Sequence, residues 1–291
     1  MQTLVAGLQC VGRRHNHKVN PCQYRLVLQT LSQLIKRPTV GSAALLRFLA
    51  EQGLASIEYE RSRTRGCMVT AHLPRVLEPE VMDTPEAAAA YDATDFRAVN
   101  TAFCEDLLAQ ITEADHPLSL LDVGTGTARI PRMLAQRYPH WHITATDLSA
   151  AMLAIAHTHT QQCPNITLCP CDAKALPFTD GSFAVVISNS LIHHLPDPRP
   201  AFAEMLRVLR PGGLLFVRDL IRPTTHEHLN TLVQTYAQDC DPQQRQLFAD
   251  SLHAALTLEE ISSMLANIAQ PPCSVEVTAT SDRHWTVVAY R

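Results

Sequence analysis

The sequence predicts an α/β fold: a doubly wound, mostly parallel seven-stranded sheet with an antiparallel closing strand, preceded by a small N-terminal α+β module. Three observations carry this. Downstream of residue 117, short apolar runs alternate with amphipathic stretches, the pattern of a parallel sheet covered by helices on both faces. Two further strand-like runs close the chain. Charge divides unevenly: residues 1–80 hold 11 Lys/Arg against 5 Asp/Glu, residues 81–291 hold 13 against 23. That asymmetry argues for two modules with different partners.

In the first module, Gln23–Leu34 and Ser42–Gln52 space their apolar residues by three and four, as amphipathic helices do, and Gly53 suits a C-cap. The runs ASIEYE and CMVTAHL then flank the charged turn RSRTRG, reading as a basic hairpin. Helices followed by such a hairpin resemble a winged helix. Three readings stay open: a packing or dimerisation cap, a nucleic-acid-binding wing led by Arg61, Arg63 and Arg65, or an unstructured extension. The boundary falls near residues 74–85, where three prolines and clustered acids interrupt any helix. It is set at 80/81.

In the second module, residues 87–111 form one or two helices. The strand runs are LSLLDVG, HITATD, ITLCPCD, FAVVISNS and GLLFVRDL, with ARIPRMLAQRY, AAMLAIAHTH and PAFAEMLRVL as intervening helices. Polar helices fill about 224–268, the last with Thr257 as N-cap and Glu260 completing a capping box. SVEVTATS and HWTVVAY form an antiparallel closing pair.

Composition bounds the class. With 291 residues, 46% hydrophobic and 18% charged, the chain excludes collagen-like, disordered and disulfide-scaffold proteins. No uninterrupted apolar run of membrane-spanning length occurs. The start, MQTLVAGLQCVGRRHNHK, places its charge after the apolar stretch, the wrong order for a secretory signal. Nine irregularly spaced cysteines read as reduced thiols, so a cytoplasmic location is expected.

The chemistry centres on LLDVGTGTARIP, residues 120–131. An apolar strand runs into Asp122, then Gly124 and Gly126, then a helix whose free N–H groups suit a polar ligand. A Gly-x-Gly turn alone is shared by many nucleotide binders. The dinucleotide fingerprint wants glycine where Arg129 stands, and GxxxxGK[ST] is absent. The second strand ends at Asp147, followed by Leu148. A carboxylate there can accept both ribose hydroxyls of an adenosine, although Asp147 and Ser149 also flank a helix start, where an N-cap belongs.

The form D-x-G-x-G-x-A resembles motif I of the class I S-adenosylmethionine-dependent methyltransferases, with Ala128 in place of the last glycine. CDAKALPF, VVISNSLIHHLPD and RVLRPGGLLFVRD follow in that family's order and spacing. The resemblance covers about 70% of the chain and is strongest to the small-molecule, quinone-methyltransferase-like branch. It implies a Rossmann-like sheet and S-adenosylmethionine as cofactor. By the same resemblance Asp147 belongs to the ribose side, its neighbour Leu148 to the cofactor site, Asp172 and Ala173 to the adenine side, and Asn189 contacts the methionine part or the substrate. Tyr91, in AAAAYDATDF, is the expected aromatic lid over the cofactor.

Methyl transfer from a sulfonium is an in-line displacement needing mostly positioning. A general base helps only when the nucleophile arrives protonated, so His193 and His194 are weak candidates. The acceptor is expected to be a small molecule. An NPPY tetrad, expected of enzymes that methylate nucleic-acid amino groups, is absent; the chain reads NSLI. Two alternatives stand: an RNA- or protein-directed methyltransferase using the basic module, and a non-catalytic regulatory protein that holds the cofactor. No metal site is expected. Cys163, Cys169 and Cys171, and the set Cys10, His15, His17 and Cys22, lack C-x2-C spacing. Cys169 and Cys171 are read as apolar fillers on one face of a buried strand.

Overall fold

The computed structural model describes residues 72–78, 83–268 and 274–291. The chain divides into two compact units, Met1–Val69 and Thr70–Arg291, and all described residues belong to the second. The helices at 23–34 and 42–52 and the strand at 55–60 lie outside the described residues. So does most of the run 67–73, whose described end, His72 and Leu73, is not in a strand.

Two helices come first, α1 (Pro85–Ala93) and α2 (Arg97–Leu108). Alternation follows: β1 (Ser119–Val123), α3 (Arg129–Arg137), β2 (His142–Asp147), α4 (Ala150–Thr160), β3 (Ile166–Pro170), β4 (Phe183–Asn189), a 3-10 turn (Ile192–His194), α5 (Arg199–Val208) and β5 (Leu209–Leu220). Three helices, α6 (His226–Ala237), α7 (Pro242–Ala254) and α8 (Leu258–Ile268), precede β6 (Ser274–Ala279) and β7 (His284–Tyr290).

The sheet order is β3-β2-β1-β4-β5-β7-β6. The first five strands run parallel, and β7 lies between β5 and β6, antiparallel to both. Both faces of the central strands are covered, which explains their continuous apolar runs. Leu121, Val123, Val186, Leu215 and Val217 point into a core shared with Phe202, Ile261 and Trp285. Their neighbours Leu120, Val185, Ile187, Leu214 and Phe216 point the other way, onto Phe103, Leu134 and Trp141. Every other residue thus serves the opposite layer.

The expected capping box is present: Thr257 N–H donates to Glu260 Oε2 at 2.9 Å, and Glu260 N–H to Thr257 Oγ1 at 3.2 Å. One expectation is corrected. β3 is an edge strand and only partly buried, so Cys169 and Cys171 are not on a buried strand.

Residues 72–78 run as an extended strap over the C-terminal helices. Leu73 is buried with Leu229, Leu232 and Leu252. The Arg75 guanidinium donates to four backbone carbonyls, those of Ala254, Pro196, His193 and Leu195. These anchors tie residues 72–78 to the second unit.

Candidate functional site

The C-terminal edge of β1, β2 and β4 gathers most residues that the sequence singles out. Asp122 is buried near the end of β1 and accepts a hydrogen bond from Thr125 Oγ1 at 2.6 Å. Burial pushes its carboxyl up to about 7; the Thr125 hydroxyl works against the rise and the charge of Asp147 adds to it. Gly124 and Gly126 have φ of 75° and 55°, in the left-handed region that a side chain resists. The turn is held by Gly124 and Thr125 N–H groups, both donating to the Thr146 carbonyl.

Ala128 follows in the same conformation, φ 58° and ψ 32°, as N-cap of α3. It stands where the resemblance wants glycine, and the backbone has kept glycine's shape.

Asp147 ends β2 and reaches back to the glycine turn. Its Oδ2 accepts from Gly126 N–H at 2.7 Å, and its Oδ1 from Ser149 N–H at 2.9 Å. Burial raises its pKa, and the backbone N–H groups of Ser149, Gly126 and Leu148 pull it back. The helix-cap role belongs to Ser149, whose Oγ accepts from Met152 N–H at 3.1 Å. Asp147 therefore does not cap α4, and a carboxylate with about four acceptor positions keeps capacity for a ligand. Leu148 beside it is 57% exposed, a large apolar side chain left uncovered at the rim of the turn.

Tyr91, on α1, is brought to this turn. A Cβ placed on Gly126 would lie 3.7 Å from Tyr91 Cε1. Burial pushes the Tyr91 phenol up to about 12, with the charge of Asp147 adding to the rise. The helix is fastened by a small network: Arg129 Nε donates to Asp92 Oδ1 at 3.0 Å, Arg129 Nη2 to the Asp92 carbonyl at 2.6 Å, and His159 Nε2 lies 3.3 Å from Asp92 Oδ2.

Asp172 and Ala173 sit just past β3, tied to β2 by Cys171 N–H donating to the Asp147 carbonyl at 3.1 Å. Burial alone would raise Asp172; the Lys174 backbone N–H and ammonium, 3.0 Å away, outweigh it and hold it below the usual carboxylate range. Ala173 packs partly against the core. Asn189 is the half-buried last residue of β4, followed by Ser190 at φ 56°, a second non-glycine in the left-handed region. Leu191 then packs on the glycine turn: a Cβ on Gly124 would lie 2.9 Å from its methyls.

The two histidines differ sharply. His193 is 3% exposed, its Nδ1 2.5 Å from Asp219 Oδ1. Asp219, fully buried at the end of β5, also accepts from the N–H groups of Ile192, His193 and Leu220. Burial opposes both charges, yet each partner outweighs it, raising His193 and lowering Asp219. His194 is more open and pairs with Glu78 of the strap, Nδ1 to Oε2 at 3.0 Å. Burial would raise Glu78, but its bond to His194 holds it lower. The imidazole rings lie 4.1 Å apart. Sequence reasoning missed Glu78 and Asp219. Glu78 stands in no local motif, Asp219 closes the RVLRPGGLLFVRD run without a sign of its partner, and only folding brings them to the histidines.

A methyltransferase-domain model matches residues 121–217, which span the glycine turn, Asp147, Asp172, Asn189 and both histidines. A demethylmenaquinone methyltransferase of Thermotoga maritima is 30% identical over 162 residues, 56% of this chain and 68% of that protein. The chain belongs to the class I S-adenosylmethionine-dependent methyltransferase family. Among other members, the malonyl-[acyl-carrier protein] O-methyltransferase of Hahella chejuensis is 32% identical over 52% of this chain and 55% of its own length. The chain spans about half to two thirds of several such relatives. A methyltransferase structure from Aquifex aeolicus shares the fold, with a TM-score of 0.54 at 17% identity over 71% of this chain and 97% of that one. Among the described residues, no helix is long and apolar enough to cross a membrane.

Proposed function

We propose that the chain transfers a methyl group from S-adenosylmethionine to a small-molecule acceptor, in the cytoplasm. The observation that supports this most is that Gly126 meets both Asp147, whose Oδ2 accepts its N–H at 2.7 Å, and Tyr91, whose Cε1 lies 3.7 Å from where its Cβ would stand. A carboxylate with spare acceptor capacity, a glycine whose backbone a ligand can approach, and an aromatic ring face one turn. The uncovered Leu148 adds an apolar surface beside them. These features fit an adenosine: Asp147 holds the ribose diol, Leu148, Asp172 and Ala173 flank the base, Asn189 meets the methionine end and Tyr91 covers the whole.

S-adenosylmethionine supplies an electrophilic methyl with its own leaving group. The protein's task is alignment and exclusion of water, effects worth up to roughly 7–11 kcal/mol in well-oriented reactions. His193 and His194 close the β4 end of the site, where an acceptor would enter. The RNA-directed alternative rests on residues 1–80, of which only 72–78 are described, and those serve as a strap.

The test supplies labelled S-adenosylmethionine together with fractionated metabolites, RNA and protein. Label entering the small-molecule fraction, and not with an Asp147→Asn variant, supports the reading. Label entering only RNA or protein overturns the acceptor class, and no transfer to any fraction overturns the activity.

A further inference from the structure

We infer that Glu78, His193 and His194 form a divalent-cation site, of the nitrogen- and oxygen-ligated kind that suits zinc. Each offers one ligand atom, and the three atoms lie within 4.8 Å of one another. Two imidazoles and one carboxylate make three protein ligands, the number found in open rather than structural zinc sites.

Four observations support the site. First, His193 is already oriented: Asp219 accepts from three backbone N–H groups and from Nδ1, so the ring's proton belongs on Nδ1 and the Nε2 lone pair is free. A carboxylate behind the histidine is the usual companion of a metal-ligating imidazole. Second, the Glu78 side chain is only 10% exposed, yet its Oε1 has no partner at hydrogen-bond geometry, the Ser251 hydroxyl being near enough only to help lower its pKa. A buried carboxylate oxygen left unpaired is costly, and a cation would satisfy it.

Third, Arg75 does not neutralise Glu78. Its donors go to the carbonyls of Ala254, Pro196, His193 and Leu195. Fourth, Glu78 borders a cavity of about 290 Å³ that it lines with Val76, Leu77, Asp250 and His253.

The site lies just past Leu191, which packs on the Gly124 turn. On the methyl-transfer reading, a cation there would bind the acceptor's oxygen and favour its deprotonated form. That consequence, unlike the site itself, rests on the proposed function.

The test uses the full chain, stripped with a chelator and titrated with Zn²⁺ against a chromogenic competitor, then with Co²⁺ followed by visible absorption. A Cys10→Ser/Cys22→Ser/Cys67→Ser background removes the N-terminal thiols as rival ligands. One equivalent should bind, without a thiolate charge-transfer band. Binding should weaken about 100-fold or more in both Glu78→Gln and His194→Asn, beyond what loss of an outer partner usually costs. No binding by the wild type, unchanged binding in either variant, or a thiolate band overturns the site. Affinity for S-adenosylhomocysteine, retained in both variants, shows that they fold. Its absence in the wild type would count against the methyl-transfer reading and leave the zinc result intact.

Discussion

Arg129 grips Asp92 through both its side chain and its backbone, with Nε 3.0 Å from Oδ1 and Nη2 2.6 Å from the carbonyl oxygen. Arg129 stands at the start of α3, immediately after the glycine turn, and Asp92 follows Tyr91 on α1. The pair therefore sets where the Tyr91 ring lies over Gly126.

Arg129→Ala should cost about 1 kcal/mol or less in unfolding free energy, since the pair is partly exposed. Its larger effect should fall on ligand retention. Affinity for S-adenosylhomocysteine should drop by up to about tenfold, equivalent to about 1.4 kcal/mol. Equal affinity for variant and wild type in a calorimetric titration would show that α1 is not a lid.

Ala128 holds a left-handed backbone while fully buried. Relief of that strain, about 1–2 kcal/mol, opposes loss of one buried methyl and greater freedom of the unfolded chain, each about 0.5–1 kcal/mol. Ala128→Gly should therefore stay within about 1 kcal/mol of the parent in urea unfolding. Ala128→Val adds bulk and β-branching at the same φ, and should destabilise by about 2 kcal/mol or more. A well-tolerated valine would contradict the assigned backbone.

Asp122 carries a pH signature. Its carboxyl is raised to about 7, above the about 3.9 of an unfolded chain. Between those values the folded state binds the extra proton, so stability falls as pH rises through that window, by up to about 4 kcal/mol. Asp122→Asn keeps an acceptor for Thr125 and should flatten the slope, gaining stability relative to wild type above neutral pH. Parallel pH profiles of the two unfolding midpoints would refute this.

What could be read from the sequence was local. The turn Asp122-x-Gly-x-Gly, the carboxylate at the end of β2, the Thr257/Glu260 box and all seven strands in the second module are written in short runs, where periodicity and turn chemistry act. The edge position of β3 was not legible, because a run's apolar content does not say which neighbours it pairs with. Asp147 and Ser149 both offered an N-cap in sequence, and the fold gives the cap to Ser149. Glu78 and Asp219 were invisible for the same reason: each meets its histidine only across the fold. Ser190 carries no residue-type sign of its positive φ.

The most direct test of the central claim is calorimetric titration of the full chain with S-adenosylmethionine and S-adenosylhomocysteine, beside Asp147→Ala and Asp147→Asn. Micromolar binding by the wild type, weakened about 100-fold or more in both variants while they still melt cooperatively, is the expected result; loss of two ribose hydrogen bonds to a charged group has about that magnitude. A folded wild-type protein that binds neither compound, or variants that bind as tightly, would contradict the account.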